Sequence, residues 1–224
     1  MQVKEMKALK KTLYSLMLND EVVREVDALA HRMGTNRSSL INQILADYVD
    51  LTTPERRIND VFSAIEELLK PSRELVPFFA PNTPTMSMKS SLEYKYRPTV
   101  KYEVELFEAG QKALGELSVI FRTQSASLIS ALTSFFRVWK RTEDKYLAPL
   151  LGGRAVSYAL YEGKFVRSIA LPDKDCTAEE LAGVISAYVQ LMDKSMKGFL
   201  TQRMDAGDIE KAYCERLQKQ QLHI

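Results

Sequence analysis

The sequence of 224 residues has little cysteine and little histidine. It contains two cysteines, Cys176 and Cys214, and two histidines. The two cysteines have neither the spacing of a metal site nor the number of a disulfide framework, which fits a reducing compartment. No apolar run approaches the roughly 18 residues of a membrane helix, and no apolar segment follows the charged N-terminus, so we expect no signal peptide. These absences predict a cytoplasmic protein that binds no metal or other cofactor.

Signals of enzymatic activity are also absent. Gly152-Gly153 lacks the lysine and the serine or threonine of a phosphate-binding loop, and no nucleophile elbow occurs. We therefore expect no catalytic residues. The 31 basic residues nearly balance the 29 acidic ones, which excludes a wholly basic nucleic-acid coat and a disordered acidic tail.

Local charge is more informative than the total, because residues 1–18 contain four lysines and one glutamate. This basic arm leads into a short segment, residues 12–18, that is rich in β-forming residues. The larger and more uniformly apolar alternate set is predicted to face a core: Tyr14, Leu16 and Leu18. The other set is predicted to face outward: Leu13, Ser15 and Met17.

Two amphipathic helices are predicted after this segment. Asn19 is a helix cap followed by acidic residues that favour the positive end of a helix dipole. Gly34 provides the left-handed residue that ends the first helix, and Thr35 or Asn36 caps the second. The whole unit of some forty residues has too little core to be stable alone, so it has to pair, most simply with a copy of itself.

The order of strand, helix, glycine turn and helix resembles the ribbon-helix-helix family of DNA-binding proteins, of the Arc and methionine repressor type. The resemblance covers about residues 11–50. It rests on Leu-Asn-Asp-Glu after the strand and on Met-Gly-Thr-Asn-Arg-Ser-Ser-Leu-Ile at residues 33–41. It implies a homodimer, or a higher oligomer of such dimers, whose two strands form an antiparallel ribbon in the major groove of double-stranded DNA.

The resemblance also implies roles for individual residues. The outward ribbon positions would contact bases: Leu13, Ser15 and Met17. Phosphate contacts would come from the basic arm and from the turn before the second helix: Lys10, Lys11, Thr35, Asn36, Arg37 and Ser38. Two of the three base-contact positions are apolar, whereas the family commonly presents polar readers there. This departure leaves three alternatives: modest specificity, readout of DNA shape, or a ribbon that no longer binds DNA.

A shift of the sequence against itself by 88 residues aligns seven identical pairs, among them Tyr14 with Tyr102 and Thr35 with Thr123. This match predicts a second, degenerate ribbon-helix-helix unit over residues 99–140, with helices at about 108–121 and 124–140. Its outward ribbon positions would be Lys101, Glu103 and Glu105. Since two of these are carboxylates that DNA would repel, we expect this unit to pair like with like between chains rather than to read DNA.

The remaining segments follow local signals. A helix is predicted from residue 53 to about 69, a proline-rich linker over 71–88, a hairpin around Glu162-Gly163, a capping box at 177–180 that opens a helix, and a last helix from about residue 206. The predicted fold is therefore mainly α with short β segments. Its parts are a ribbon-helix-helix unit (1–52), a helix and linker (53–88), the degenerate second unit (89–140) and a C-terminal interaction region (141–224).

The function that follows is that of a DNA-binding transcriptional regulator, such as a repressor, that acts as a dimer. One alternative is an accessory DNA-binding protein of plasmid or mobile-element conjugation or partition, because tandem ribbon-helix-helix units occur among such proteins. Another is an antitoxin-like scaffold that pairs through its ribbons without DNA. Residues 141–224 could contribute contacts with a protein partner.

Overall fold

The computed structural model of the chain describes residues 12–72, 74–80, 83–94, 97–108 and 110–224. The first two helices are α1 (Asp20–Arg32) and α2 (Arg37–Tyr48), as expected. Asp20 and Glu21 lie in the first turn of α1, where the helix dipole favours acidic side chains. Gly34 has a φ of 63°, a left-handed conformation that glycine adopts without a steric cost. Residues 12–19 take no helical or strand conformation in the single chain.

The rest of the chain forms one antiparallel sheet covered by helices. The elements that follow α2 are listed here in chain order: α3 (Pro54–Leu69), β1 (Val76–Phe79), β2 (Thr85–Ser91), β3 (Thr99–Leu106), β4 (Gly115–Phe121), α4 (Ala126–Tyr146), a 3₁₀ turn (Ala148–Leu151), β5 (Tyr158–Tyr161), β6 (Lys164–Ile169), α5 (Ala178–Leu200) and α6 (Ala206–Lys219). The strand order is β1-β2-β3-β4-β6-β5.

Alternation along the strands gives this sheet one apolar face and one polar face. On β3, Tyr102 and Val104 point inward and are buried. Lys101 and Glu103, which face the other way, form an ion pair at 2.5 Å. Helices cover the apolar face. The ring of Phe136 on α4 stacks on Phe165 of β6 with centroids 4.5 Å apart. One covered face and one polar face are a common arrangement for antiparallel sheets.

The structure contradicts the predicted fold class. The chain does not combine short β segments with helices; it contains a six-stranded sheet. Residues 71–88 are not simply a linker, because β1 and most of β2 lie there. The hydrophobic core extends from Val61 of α3 to Ile224. Thus the stretches predicted as a linker, a second unit and a C-terminal region share one core.

The second ribbon-helix-helix unit is the main error. β3, its supposed ribbon strand, pairs with β2 on one side and β4 on the other, so it has no free edge for a second chain. The helix predicted over 108–121 is wrong, because β4 occupies residues 115–121. The physical reason is a period-two pattern in which Leu117, Val119 and Phe121 are buried on one face, a spacing that favours a strand. Only the helix that follows is present, as α4.

Predictions from local signals are confirmed in the same part of the chain. β5 and β6 form the hairpin, with Tyr161 opposite Lys164 and Glu162-Gly163 between them. Thr177 and Glu180 form the capping box that opens α5, and α6 begins at residue 206 as expected. Within the described ranges, every helix is too short or too polar to cross a membrane.

Candidate nucleic-acid interface

The predicted ribbon segment is exposed along its whole described length. The relative exposure of Leu13 is 97% and that of Met17 is 102%, whereas Leu16 and Leu18 are 51% and 42% exposed. Tyr14, the third member of the predicted inward set, is largely exposed. Two of the three side chains predicted to face a core are thus already half covered by their own chain. Leu13 and Met17 are not covered, and Ser15 between them is exposed as well.

This exposure continues onto α1 and α2. Of the eighteen large apolar side chains that are exposed in the described chain, eleven lie between residues 13 and 51. They include Val22 on α1 and Ile44, Leu45 and Tyr48 on α2. Only three apolar residues of the same stretch are buried, namely Ala30, Leu40 and Ala46. We call the exposed apolar side chains of residues 13–51, apart from the predicted outward pair Leu13 and Met17, the N-terminal apolar face.

The turn before α2 is built as predicted. Asn36 is the N-cap of α2, and its side-chain oxygen accepts a hydrogen bond from the Ser39 amide at 2.9 Å. Thr35 precedes it in the turn, and its amide donates to the Ala30 carbonyl at 2.9 Å. Arg37 and Ser38 occupy the first turn of α2, where helix geometry leaves amide groups directed outward without an intrahelical acceptor. Such a turn attracts anions.

Arg37 does not point freely from this turn. Its guanidinium makes two hydrogen bonds to the Asp27 carboxylate of α1, one of them from Nε at 2.5 Å. Hydrogen bonding from Arg37 lowers the pKa of the Asp27 carboxyl, and the same bond raises the pKa of Arg37. A phosphate that binds Arg37 therefore has to compete with Asp27. The sequence contains no local signal of this pair, because the partners are ten residues apart on two helices.

The predicted contact residues fall into two groups on the described chain. The ribbon triad (Leu13, Ser15, Met17) is exposed in the segment that precedes α1, and residues 35–38 surround the start of α2. Lys10 and Lys11 lie outside the described residues.

The hydrophobic core of the sheet and its helices includes no described residue before Ile58. We therefore describe residues 12–51 as the N-terminal unit. An ion pair at 2.8 Å between Asp47 and Arg56 lies at its boundary.

A second polar cluster, missed by the sequence analysis, lies inside the sheet-and-helix core. Arg167 of β6 and Glu143 of α4 are completely buried, with Nε 3.1 Å from one carboxylate oxygen and 3.2 Å from the other. The Tyr213 hydroxyl donates to Glu143 at 2.9 Å. Burial lowers the pKa of Arg167, but Glu143 and the neighbouring tyrosines together outweigh it, so that the pKa is raised. The missed signal is Arg167 at an inward position of β6, between Phe165 and Ile169.

This cluster is a structural network. Arg167 also donates to the Ile224 carbonyl at 2.5 Å, and the Trp139 indole donates to the Tyr188 hydroxyl at 2.8 Å. The donors and acceptors of this cluster therefore bond to one another.

A cavity of about 380 Å³ lies elsewhere, beside the start of α5, and is lined by Cys176, Glu180 and Lys219 among others. Cys176 there has a pKa that burial raises, which disfavours the reactive thiolate.

Comparisons with known proteins assign no family to the chain: no family model, no curated protein and no solved structure matches it. In the described part of the chain, no group of three or more metal-binding side chains is close enough to hold an ion. The candidate interface is the N-terminal unit, with its exposed apolar side chains and its turn at α2.

Proposed function

We propose that the chain is a DNA-binding regulator that acts as a homodimer in the cytoplasm. The observation that carries the proposal is the N-terminal apolar face. The stretch over residues 13–51 buries only Ala30, Leu40 and Ala46 among its apolar side chains, which cannot offset the conformational entropy of its own folding. A second copy provides a matching apolar surface, and residues 12–18 provide an edge for an antiparallel ribbon.

DNA is the partner that the remaining features favour. The basic arm adds a local net charge of +3 within residues 1–18 of each chain, and a dimer doubles it. The outward amides at the start of α2 add an uncharged phosphate site. Both features act on the DNA backbone, so they supply affinity that depends on salt and not on sequence. The resemblance to the ribbon-helix-helix family supports the same assignment.

The test is the salt dependence of binding to random duplex DNA by the full chain. The double variant Lys10→Ala/Lys11→Ala removes four charges from a dimer. It should reduce the slope of log affinity against log salt by up to about 3.6, at roughly 0.9 for each phosphate that the dimer no longer neutralises. A matched control, Lys89→Ala/Lys164→Ala, removes the same number of charges from the polar face of the sheet and should leave the slope unchanged.

The pair at the turn allows a second test of the same surface. Arg37→Ala should weaken binding to all duplexes alike, because a phosphate contact carries no base information. Asp27→Asn should strengthen it, because the guanidinium is then released to the phosphate. Asp47→Asn is the control, since it removes one negative charge from the other end of α2, where the partner is Arg56. An equal gain from both variants would indicate general electrostatics rather than a contact by Arg37.

The scaffold alternative has one observation in its favour, the apolar character of Leu13 and Met17. Absence of binding to duplex DNA at low salt would contradict the proposed function and assign the N-terminal unit to pairing of chains alone. The two DNA-binding alternatives, a transcriptional regulator and a plasmid or mobile-element accessory protein, differ in where they bind. Genomic fragments recovered with the chain distinguish promoters from transfer or partition sites.

A further inference from the structure

Leu13 and Met17 are the two most exposed large apolar side chains of the described chain. Both belong to the same alternate set of residues 12–18, so they share one face when the segment is extended. On a strand they lie about 13 Å apart, at roughly 3.3 Å per residue, so they would contact different base pairs. Ser15 lies between them and is also exposed.

The chemistry of these side chains limits what they can recognise in a major groove. Neither a leucine nor a methionine side chain can replace the hydrogen bonds that water makes to the polar edges of bases. Covering guanine or cytosine edges with them therefore costs free energy. The thymine C5-methyl group is the apolar feature that the major groove offers. Contact with it removes apolar surface from water on both sides.

We propose that Leu13 and Met17 make the ribbon a reader of thymine methyl groups, so that the chain prefers A·T-rich sites by methyl contact. This proposal rests on the function proposed above. Ser15 adds a hydrogen bond that either kind of base pair can satisfy. The site preference then comes from apolar contacts, and the salt-dependent affinity comes from the basic arm and the turn at α2.

The test uses deoxyuridine, which lacks the methyl group of thymidine but keeps its hydrogen-bonding edges. The full chain first selects its tightest duplex from a random pool. That duplex is then made once with thymidine and once with deoxyuridine. Burial of one methyl group is worth a factor of about four in affinity. A dimer can make four such contacts through Leu13 and Met17 of both chains, and two of them alone should weaken binding to the deoxyuridine duplex about fifteenfold.

Two variants show which residues are responsible. Leu13→Ala/Met17→Ala should bind both duplexes equally, with an unchanged salt slope. Because both side chains are almost fully exposed, their removal should not affect folding, which a thermal melt checks. Val76→Ala/Phe78→Ala removes two exposed apolar side chains from the edge strand β1 and should keep the full preference for thymidine.

The outcomes separate this proposal from the proposed function. Equal, salt-dependent binding of the wild-type chain to both duplexes overturns the methyl readout and leaves DNA binding intact. A thymidine preference that persists in Leu13→Ala/Met17→Ala also overturns it, since the preference then comes from DNA shape. Failure to bind either duplex at low salt overturns the proposed function itself.

Discussion

Arg167 and Glu143 form the buried ion pair of the sheet-and-helix core, and replacing Arg167 by methionine should be severely destabilising. Both side chains are completely buried, and Nε lies 3.1 and 3.2 Å from the two carboxylate oxygens. Arg167→Met also removes the hydrogen bond to the Ile224 carbonyl. Glu143 then stays buried without its cationic partner, although the Tyr213 hydroxyl still donates to it. Breaking such a pair costs about 3–5 kcal/mol, out of a total stability of roughly 5–15 kcal/mol for a typical domain.

The double variant Glu143→Leu/Arg167→Met tests the reasoning behind this number. Most of the cost arises from an uncompensated buried charge, so replacing both partners by apolar side chains should cost less than either single change. Arg203→Met serves as the control, because Arg203 pairs with Glu93 at 3.0 Å on the surface. Exposed pairs of this kind contribute at most about 1 kcal/mol.

Urea unfolding followed by tryptophan fluorescence measures these differences. Trp139 is the only tryptophan of the sequence, and its indole donates to Tyr188 in the same cluster, so its emission reports on this core. A loss below about 1 kcal/mol for Arg167→Met would refute the reasoning. So would a double variant that loses as much as the two single variants together, because the pair would then have no coupling energy.

The tyrosines and glycines of the same core give two further predictions. Burial is the first cause that raises the pKa of Tyr102, Tyr188 and Tyr213, so they stay protonated in the folded chain at pH values where the unfolded chain ionises. The free energy of unfolding should therefore fall above about pH 10, by up to about 1.4 kcal/mol per pH unit for each tyrosine. Urea unfolding that showed no such fall at alkaline pH would contradict the burial of these tyrosines. Gly115→Ala should destabilise by at least about 2 kcal/mol, because the new Cβ would lie 2.1 Å from the Glu105 carbonyl oxygen. Gly183→Ala in α5 meets nothing within 4 Å and should stabilise by about 0.5–1 kcal/mol; thermal melts of both variants check the two signs.

Elements with strong local signals were predictable from the sequence. The capping box at Thr177 and Glu180 fixes the start of α5 through hydrogen bonds between neighbours in the chain. The Glu162-Gly163 turn similarly fixes the β5–β6 hairpin. Both structures depend on residues a few positions apart, so the sequence alone is enough to find them.

The sheet was not predictable in this way, because its pairings depend on distant residues. The pairing of β4 with β6 places Gly115 opposite Ile169, which is far away in the sequence. No local pattern indicates such a pairing. A helix was predicted where β4 lies, although Leu117 and Val119 are two residues apart, as apolar residues on one face of a strand are. The similarity between Tyr14 and Tyr102 reflected amphipathic patterning shared by a free segment and a central strand.

In the candidate site too, features that depend on neighbouring residues were predicted, and a contact between two helices was not. Gly34 and the Asn36 cap follow from local rules and are found as expected. The ion pair of Arg37 with Asp27 depends on how α1 packs against α2, which the sequence does not specify. That pair changes the expectation for the turn, because the charge of Arg37 is partly neutralised before any phosphate arrives.

Hydrogen exchange of residues 12–18 in the full chain tests the central claim most directly. Two chains joined by an antiparallel ribbon hydrogen-bond these amides to one another. The account therefore predicts slow exchange that depends on protein concentration and slows further when duplex DNA is added. Exchange at the rate of an unstructured peptide, at every protein concentration and with DNA present, would contradict it.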